Sequence, residues 1–206
     1  TKSDYTAQAY LLRATSALER GDYASAGADA SKSIATGSAP ALAYYVEGYA
    51  HYNQKQYPSA YRSFEAFTSR AGQDESLRRA DALARMGDCL LIQKKSAEAL
   101  ALYRRADEGM PSGSDEALYR VATIYGRWGQ YSKQIETLDR IIKTHPQSTH
   151  LPEVLYDKGR ALVLSKARAE QATAVFDELV KRYPDSQYAR LGAMEKAMLA
   201  YNNGRT

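Results

Sequence analysis

Apolar residues recur along this chain three and four positions apart, between short polar turns. In the segment 57–71, Ala60, Phe64 and Phe67 fall on one face of a helix because of this spacing. The same arrangement repeats along the whole chain and predicts an all-α protein. The predicted helices are 4–20, 23–36, 41–54, 57–71, 76–93, 96–109, 114–128, 131–144, 151–166, 169–183 and 187–203.

The predicted helices form pairs that repeat. The second helix of most pairs carries a small residue, and a bulky residue follows four places later. The small positions are Ala26, Ala60, Ala99, Gln134 (the exception) and Ala172, which are 34, 39, 35 and 38 residues apart. The first helix of each pair has a small residue near its middle, at Ala14, Gly48, Gly87, Ala122 and Gly159. Glycine costs about 1 kcal/mol in a helix relative to alanine, so its recurrence indicates close approach between helices.

This pattern resembles the tetratricopeptide repeat (TPR) family over nearly the whole chain. The matching residues are Tyr44, Gly48, Tyr57, Ala60, Phe64, Gly87, Ala99, Tyr103, Pro111, Tyr131, Leu138, Pro146, Gly159, Ala172, Phe176 and Pro184. The resemblance implies a right-handed superhelical solenoid of antiparallel helix pairs, with about five repeats plus a C-terminal helix, in a single domain over 1–206. The first repeat is degenerate, because Ala30 and Ser33 stand where large residues are expected.

The helix 187–203 resembles the first helix of a sixth pair. Its apolar residues Met194, Met198, Leu199 and Tyr201 are not typical of a polar terminal cap. We therefore expect the sequence to be a fragment of a longer chain. The junctions "HPQS" and "YPDS" are similar to those of bacterial cell-envelope TPR proteins of the Tol-Pal-associated and outer-membrane-assembly lipoprotein type. This similarity implies a periplasmic or envelope location, with the cytoplasm as the alternative.

Six tyrosines lie within residues 44–61. In a TPR solenoid the first helices line a concave groove, so Tyr44, Gly48 and His51 are expected to face the second helix of their own pair. The neighbouring face is expected to look into the groove. The predicted partner-binding residues on such faces are Tyr45, Tyr49, Tyr52, Asp88, Tyr119, Thr123, Arg127, Tyr156 and Arg160. Tyrosine and arginine are common at binding hot spots. Packing alone is the alternative interpretation for Tyr45, Tyr49 and Tyr119.

The resemblance implies a non-enzymatic scaffold that binds a peptide or a helix of a partner protein in the groove. The alternative is an assembly segment that stacks on further repeats or on itself, so self-association is a second expectation. The TPR clamp that holds a terminal carboxylate with Lys and Asn side chains is not expected, because the matching positions carry residues such as Tyr45, Asp88 and Arg160.

Composition and charge limit the classes of function that the protein can have. Apolar residues make up 44% and charged residues 25%, as in ordinary folded proteins. The net charge of +4 comes from 28 basic and 24 acidic residues without long runs of one sign, which argues against nucleic acid as the partner. The segment "SLRRADALAR" keeps helical RNA recognition as a minor alternative. No apolar run reaches the roughly 18 residues of a transmembrane helix.

Known catalytic and cofactor motifs do not occur in the sequence. It has no phosphate-binding glycine loop, zinc-protease helix or nucleophile elbow. We therefore expect that the protein is not an enzyme and that it binds no small-molecule substrate and no cofactor. His145 and His150 flank a loop and are a weak metal pair, and Cys89 is expected to be a small core residue. We expect "SDE" and "DES" to cap helices and Trp128 to seal the fourth repeat.

Overall fold

The computed structural model describes residues 2–109, 114–165 and 169–203, and within these ranges it contains eleven α-helices. They are α1 Lys2–Glu19, α2 Tyr23–Ala35, α3 Ala41–Asn53, α4 Tyr57–Arg70, α5 Ser76–Ile92, α6 Ser96–Glu108, α7 Asp115–Arg127, α8 Tyr131–Thr144, α9 Leu151–Leu164, α10 Ala169–Arg182 and α11 Gln187–Asn203. A short 3-10 turn, Gln73–Glu75, precedes α5. The all-α prediction is confirmed, and every predicted helix end lies within two residues of the observed one.

Side chains cap three helix starts in the described residues, and at α11 Ser186 accepts a hydrogen bond from the backbone N–H of Ala189 at 3.0 Å. Asp22 accepts a hydrogen bond from the backbone N–H of Ser25 at 3.1 Å, and Ser114 accepts one from Ala117 at 3.2 Å. The predicted cap in "SDE" is therefore confirmed. The predicted cap in "DES" is wrong, because Glu75 precedes α5 without a side-chain hydrogen bond to the start of the helix and pairs with Arg78 at 2.6 Å instead.

The chain divides into two compact units, Thr1–Pro111 and Ser112–Thr206. In unit 1, each helix from α1 to α6 packs against the next one along the chain, and α1 also contacts α3. In unit 2, α7 to α11 pack in the same sequential way, and α11 also contacts α9. Each unit is thus a stack of antiparallel helices with local contacts. A single domain over 1–206 stays a prediction.

Glycines in the first helices lie directly beneath aromatic rings of the second helices. A Cβ atom on Gly48 would lie 2.7 Å from the ring of Phe64, and one on Gly87 would lie 2.8 Å from Tyr103. Gly159 lies beneath Phe176 in the same way. The rings fill space that any side chain would take, so the predicted close approach of the helices is confirmed.

In the fourth and first helix pairs, smaller side chains take the place of the aromatic ring that lies over a glycine in the other pairs. In the fourth pair, the amide of Gln134 lies over Gly126, where a Cβ would be 2.7 Å from its Nε2 atom. In the first pair, Ala30 and Ser33 are fully buried, and Ser33 donates a hydrogen bond to the carbonyl of Ala7 at 2.7 Å. The degenerate first repeat is therefore packed, with a buried hydroxyl whose hydrogen bond is satisfied.

Two single residues test the remaining expectations for the core. Cys89 is fully buried, as predicted, and burial followed by the nearby charge of Asp88 raises the pKa of its thiol to about 12. Trp128 does not seal the fourth repeat, because 42% of its surface is exposed. It lies at the end of α7, where its ring meets Tyr125 edge-on at 6.4 Å.

Candidate functional site

Three tyrosines on α3 form one face of unit 1. Tyr45, Tyr49 and Tyr52 follow one another at helical spacing, and each is half-buried. Their hydroxyl groups donate to carboxylates on α5, the next first helix. Tyr45 donates to Oδ2 of Asp81 at 2.8 Å, Tyr49 donates to the same oxygen, and Tyr52 reaches Oδ2 of Asp88 at 3.2 Å. The phenols therefore link two successive first helices.

Asp88 is not the open groove residue that the sequence predicted. It is only 6% exposed, because three side chains cover its carboxylate. Tyr103 donates to Oδ1 at 2.6 Å, and Arg85 and Tyr52 donate to Oδ2 at 2.6 and 3.2 Å. Asp88 thus supports the face from below and offers little surface to a partner.

The rings of Tyr45 and Tyr49 also pack against the second helix α4. The two rings meet edge-on at 5.0 Å, Tyr45 lies 5.0 Å from Phe67, and Tyr49 lies 5.3 Å from Phe64 between centroids. Tyr45 and Tyr49 are therefore packed against the core and partly exposed at the same time. One side of each ring supports the core of unit 1, and the rest remains accessible.

Burial and neighbouring carboxylates keep these phenols protonated. Burial, and then the charge of Asp81, raises the pKa values of Tyr45 and Tyr49 above the usual value for tyrosine. Burial and the charge of Asp157 do the same for the pKa of Tyr119. All three hydroxyl groups are neutral hydrogen-bond donors at neutral pH, as an ordinary phenol is, and the raised pKa values extend this state to more alkaline pH.

The face of unit 2 begins with Tyr119 and Thr123 on α7. Tyr119 donates to Oδ2 of Asp157 on α9 at 2.7 Å, and its ring stacks on His150 at 6.3 Å with an angle of 7°. Thr123 donates its hydroxyl to the carbonyl of Tyr119 at 2.9 Å, so this group is used within its own helix. Arg127 lies in the last turn of α7 and is exposed.

The same face continues on α9 and α11. The half-buried ring of Tyr156 lies 5.9 Å from Tyr188 and 6.4 Å from Phe176. Arg160 sits over the Tyr156 ring at 5.9 Å, and its Nε atom is 3.7 Å from Oε1 of Glu195. Tyr156 and Arg160 are thus brought together with Tyr188 and Glu195, which the sequence analysis did not single out.

Asp81 and Asp157 were missed at the sequence level, and Asp88 was predicted as an open groove residue instead of a hydrogen-bond acceptor. Asp81 follows Tyr45 by 36 residues, Asp88 follows Tyr52 by 36, and Asp157 follows Tyr119 by 38. The two separations of 36 are three residues, about one helical turn, shorter than the local repeat of 39 between Gly48 and Gly87, and the separation of 38 is one residue longer than the 37 between Ala122 and Gly159.

The described residues give no positive evidence for a metal site or for a membrane-spanning helix. Within 2–109, 114–165 and 169–203, no group of three or more His, Cys, Asp or Glu side chains is placed to hold a metal ion. His150 stacks on Tyr119 instead. Over the same ranges, no helix combines the length and apolar character needed to cross a bilayer.

Comparisons with known proteins agree with this architecture. Two family models, both described as tetratricopeptide repeat, match residues 45–117 and residues 116–148 and 153–186. No curated protein matches the sequence. Among solved structures, the TPR protein YrrB, whose structure is described as having an unusual peptide-binding site, is 20% identical with a TM-score of 0.72, over 90% of both chains.

Two further solved structures share the fold. MamA from Desulfovibrio magneticus RS-1 is 21% identical with a TM-score of 0.70, over 88% of this chain and 98% of that one. The C-terminal part of a TPR repeat-containing protein from Cytophaga hutchinsonii is 18% identical with a TM-score of 0.76, over 90% and 68% of the two chains. At these identities the likeness concerns the fold alone.

Proposed function

Because the chain belongs to the tetratricopeptide repeat family, we propose that it is a non-enzymatic scaffold that binds a peptide or a helix of a partner protein. This fold is typically a non-enzymatic interaction module and is consistent with such a role. The proposed contact surface is the concave groove expected of the family, lined by the tyrosine faces of the first helices in each unit.

The observation that carries the proposal is the anchoring of half-exposed phenols by carboxylates. Tyr45, Tyr49 and Tyr119 each keep part of the ring accessible while the hydroxyl is held by Asp81 or Asp157. A ring that is already fixed loses little conformational freedom when a partner packs on it. Such rings are suited to recognition.

Exposed arginines beside the rings add polar recognition. Arg160 lies over Tyr156 with half of its side chain exposed, and Arg127 is exposed at the end of α7. Guanidinium groups hold carboxylates through paired hydrogen bonds, so acidic or amide side chains of a peptide suit these positions. The peptide-binding site described for YrrB supports this use of the fold, although it concerns that protein.

The test is selection of binding peptides from a random displayed library on the wild-type chain, followed by affinity measurements on variants. Tyr52→Ala and Tyr156→Ala each remove one ring from a tyrosine face. We expect at least about a tenfold loss of affinity for the selected peptides, because a lost aromatic contact at a hot spot costs more than about 1.4 kcal/mol.

Tyr61→Ala is the matched control, because Tyr61 is also half-buried but lies on the second helix α4. Its peptide affinity should equal that of the wild type. Melting temperatures of all variants separate lost binding from lost folding. Equal binding by the Tyr52 and Tyr156 variants, or a loss confined to Tyr61→Ala, would refute the proposal.

We further propose that the protein acts in the bacterial periplasm or cell envelope. The similarity of the "HPQS" and "YPDS" junctions to those of envelope TPR proteins supports this location. Fractionation of cells that express the natural protein tests it, and recovery with the cytoplasmic fraction would contradict it.

A further inference from the structure

Three helices of unit 1 meet around a cleft of about 450 Å³. Helix α5 contributes Arg79, Leu83 and Met86, which follow one another at helical spacing and therefore share one face. The second helices α4 and α6 contribute the other lining residues, among them Glu65 and Arg105. A cleft of this size is in the range that accommodates a small organic ligand. The sequence alone does not predict it, because its lining comes from three helices.

The cleft lies on the other side of α5 from the tyrosine face. Two residues turn a helix by about 200°, so Asp81 and Arg85 lie across α5 from Arg79 and Leu83. Asp81 is the residue that holds the phenols of α3. A ligand in the cleft would therefore not compete with a peptide on the tyrosine face, and this inference does not depend on the proposed function.

The base of the cleft is apolar. It consists of Leu83 and Met86 from α5 and Leu102 from α6, whose side chains are buried in unit 1 but line the cleft. We call these three residues the apolar base. It would take up the apolar part of a ligand, which gains free energy when it leaves water.

Arg79 is held at the cleft by the linker between α4 and α5. Its Nη2 atom donates to the carbonyl oxygens of Ala71 and Gly72, the latter at 3.1 Å. Its Nε atom is buried and has no hydrogen-bond partner in the described part of the chain. A buried donor without an acceptor costs free energy. The guanidinium is thus fixed in position and still short of an acceptor.

The charged residues that line the cleft leave it with one net positive charge. Arg79 and Arg105 contribute one positive charge each, and Glu65 contributes one negative charge. Arg105 is exposed, so its guanidinium is accessible to a ligand. The cleft therefore favours a ligand with a single negative charge over a neutral one.

We propose that this cleft binds a small organic acid, which consists of one carboxylate and an apolar body. The carboxylate accepts hydrogen bonds from the guanidinium groups of Arg79 and Arg105, since the planar fork of arginine matches a carboxylate. The apolar body packs on the apolar base. A phosphate monoester suits the site less, because its charge of about two at neutral pH would exceed the net charge of the cleft and repel Glu65.

Titration of the full chain with hexanoate, followed by backbone amide chemical shifts, tests the proposal. We expect saturable binding with the largest shifts in α4, α5 and α6. Hexanamide lacks the charge and acetate lacks the apolar body, so each should bind at least about tenfold more weakly. Absence of saturable hexanoate binding, largest shifts in other helices, or equal binding of hexanamide or acetate would overturn the proposal.

Two arginine variants test the contact with the carboxylate. Arg79→Gln should weaken hexanoate binding at least about tenfold, because it removes a fixed charged donor. It also removes the bonds to the linker, so Arg105→Gln is the second variant. Arg105→Gln should weaken binding about threefold, because an exposed ion pair contributes less, and should leave the melting temperature unchanged.

Arg62→Gln is the matched control, because Arg62 is an exposed arginine of α4 that does not line the cleft and donates to Ser59 at 3.2 Å. It makes the same change in net charge and should bind hexanoate like the wild type. Unchanged affinity in both Arg79→Gln and Arg105→Gln, or an equal loss in Arg62→Gln, would overturn the proposal.

Two further probes identify the source of the charge. The capped peptide acetyl-Leu-Glu-Leu-amide carries its carboxylate on a peptide backbone and should bind more weakly than hexanoate, because its amide groups lose water beside the apolar base. Hexyl phosphate should also bind more weakly. Tighter binding of the peptide would point to an acidic side chain of a partner protein, and tighter binding of hexyl phosphate to a phosphate ligand. Either result would overturn the assignment of a small organic acid.

Discussion

Asp81 holds two tyrosines with one carboxylate oxygen. Tyr45 and Tyr49 both donate to Oδ2, while Nε of Arg85 lies 3.6 Å from Oδ1. Hydrogen bonds to a charged acceptor are stronger than those between neutral groups. The carboxylate therefore fixes the positions of two rings that are otherwise only half-buried.

Removal of one hydroxyl from this pair should lower stability without loss of packing. We expect Tyr49→Phe to reduce the free energy of unfolding by about 1–2 kcal/mol, since the lost bond is made to a charged group. Urea denaturation at pH 7 measures the change. Tyr61→Phe on α4 is the control and should differ from the wild type by less than about 0.5 kcal/mol. Equal stability of Tyr49→Phe and the wild type would show that the bond to Asp81 contributes nothing.

Asp157 gives a test that depends on pH. Burial raises its pKa above the usual value for aspartate, while the hydrogen bond from Tyr119 opposes this shift. A carboxyl with a higher pKa in the folded chain is penalised in its charged form. Its contribution therefore favours folding below the unfolded pKa, and this contribution is lost as pH rises through the folded pKa.

Asp157→Asn removes this titration and keeps an oxygen that can accept from Tyr119. We expect the variant to gain stability relative to the wild type as the pH rises from about 4 to 7, because only the wild type acquires the half-buried charge. Thermal unfolding at several pH values provides the measurement. Asp177→Asn, at an exposed acid of the same unit, controls for general charge effects. A relative gain of the wild type with rising pH would contradict the assignment.

The turns inside the first four helix pairs share one backbone conformation but not one residue. Gly21 and Gly129 have φ values of 75° and 68°, and Lys55 and Lys94 occupy the matching places with 61° and 64°. Glycine adopts this left-handed conformation without the steric cost that a Cβ brings. Two of the four turns therefore carry a residue that is unfavourable for its own conformation.

Lys55→Gly should stabilise the protein by up to about 1 kcal/mol, because the steric cost at the end of α3 disappears. The reverse change, Gly129→Ala in the matching turn of unit 2, should cost a similar amount. No heavy atom lies within 4 Å of the Cβ position at Gly129, so its effect reports backbone conformation alone. Melting temperatures of the two variants should shift in opposite directions. A lower melting temperature for Lys55→Gly would contradict this account.

Most of the element structure follows from local sequence, and most of the site's hydrogen bonding does not. The apolar spacing in segments such as 57–71 and the prolines after second helices determine the helix ends to within two residues. The face of Tyr45, Tyr49 and Tyr52 follows from helical periodicity. The acceptors do not, because Asp81 and Asp88 belong to the next repeat and their rotamers depend on how the two helices pack. The burial of Asp88 was missed for the same reason.

At the scale of the molecule, cohesion comes from contacts between helices that are close in sequence. Unit 2 has a core around Leu155, Phe176 and Leu179, and unit 1 packs Phe64 against Gly48 and Tyr103 against Gly87. In repeat proteins, stability is approximately a sum of repeat terms and nearest-neighbour interfaces. A defect in one core should therefore weaken its own neighbourhood more than distant helices.

Phe176→Leu tests this expectation. Phe176 is fully buried over Gly159, so the smaller side chain leaves a cavity that should cost about 1–2 kcal/mol. Hydrogen exchange should show faster exchange mainly in α9, α10 and α11, because these helices surround the cavity. Phe64→Leu is the reciprocal variant in unit 1 and should affect mainly α3, α4 and α5. Uniformly faster exchange along the whole chain in both variants would show that the repeats unfold as one cooperative body, and local contacts would then not account for the stability.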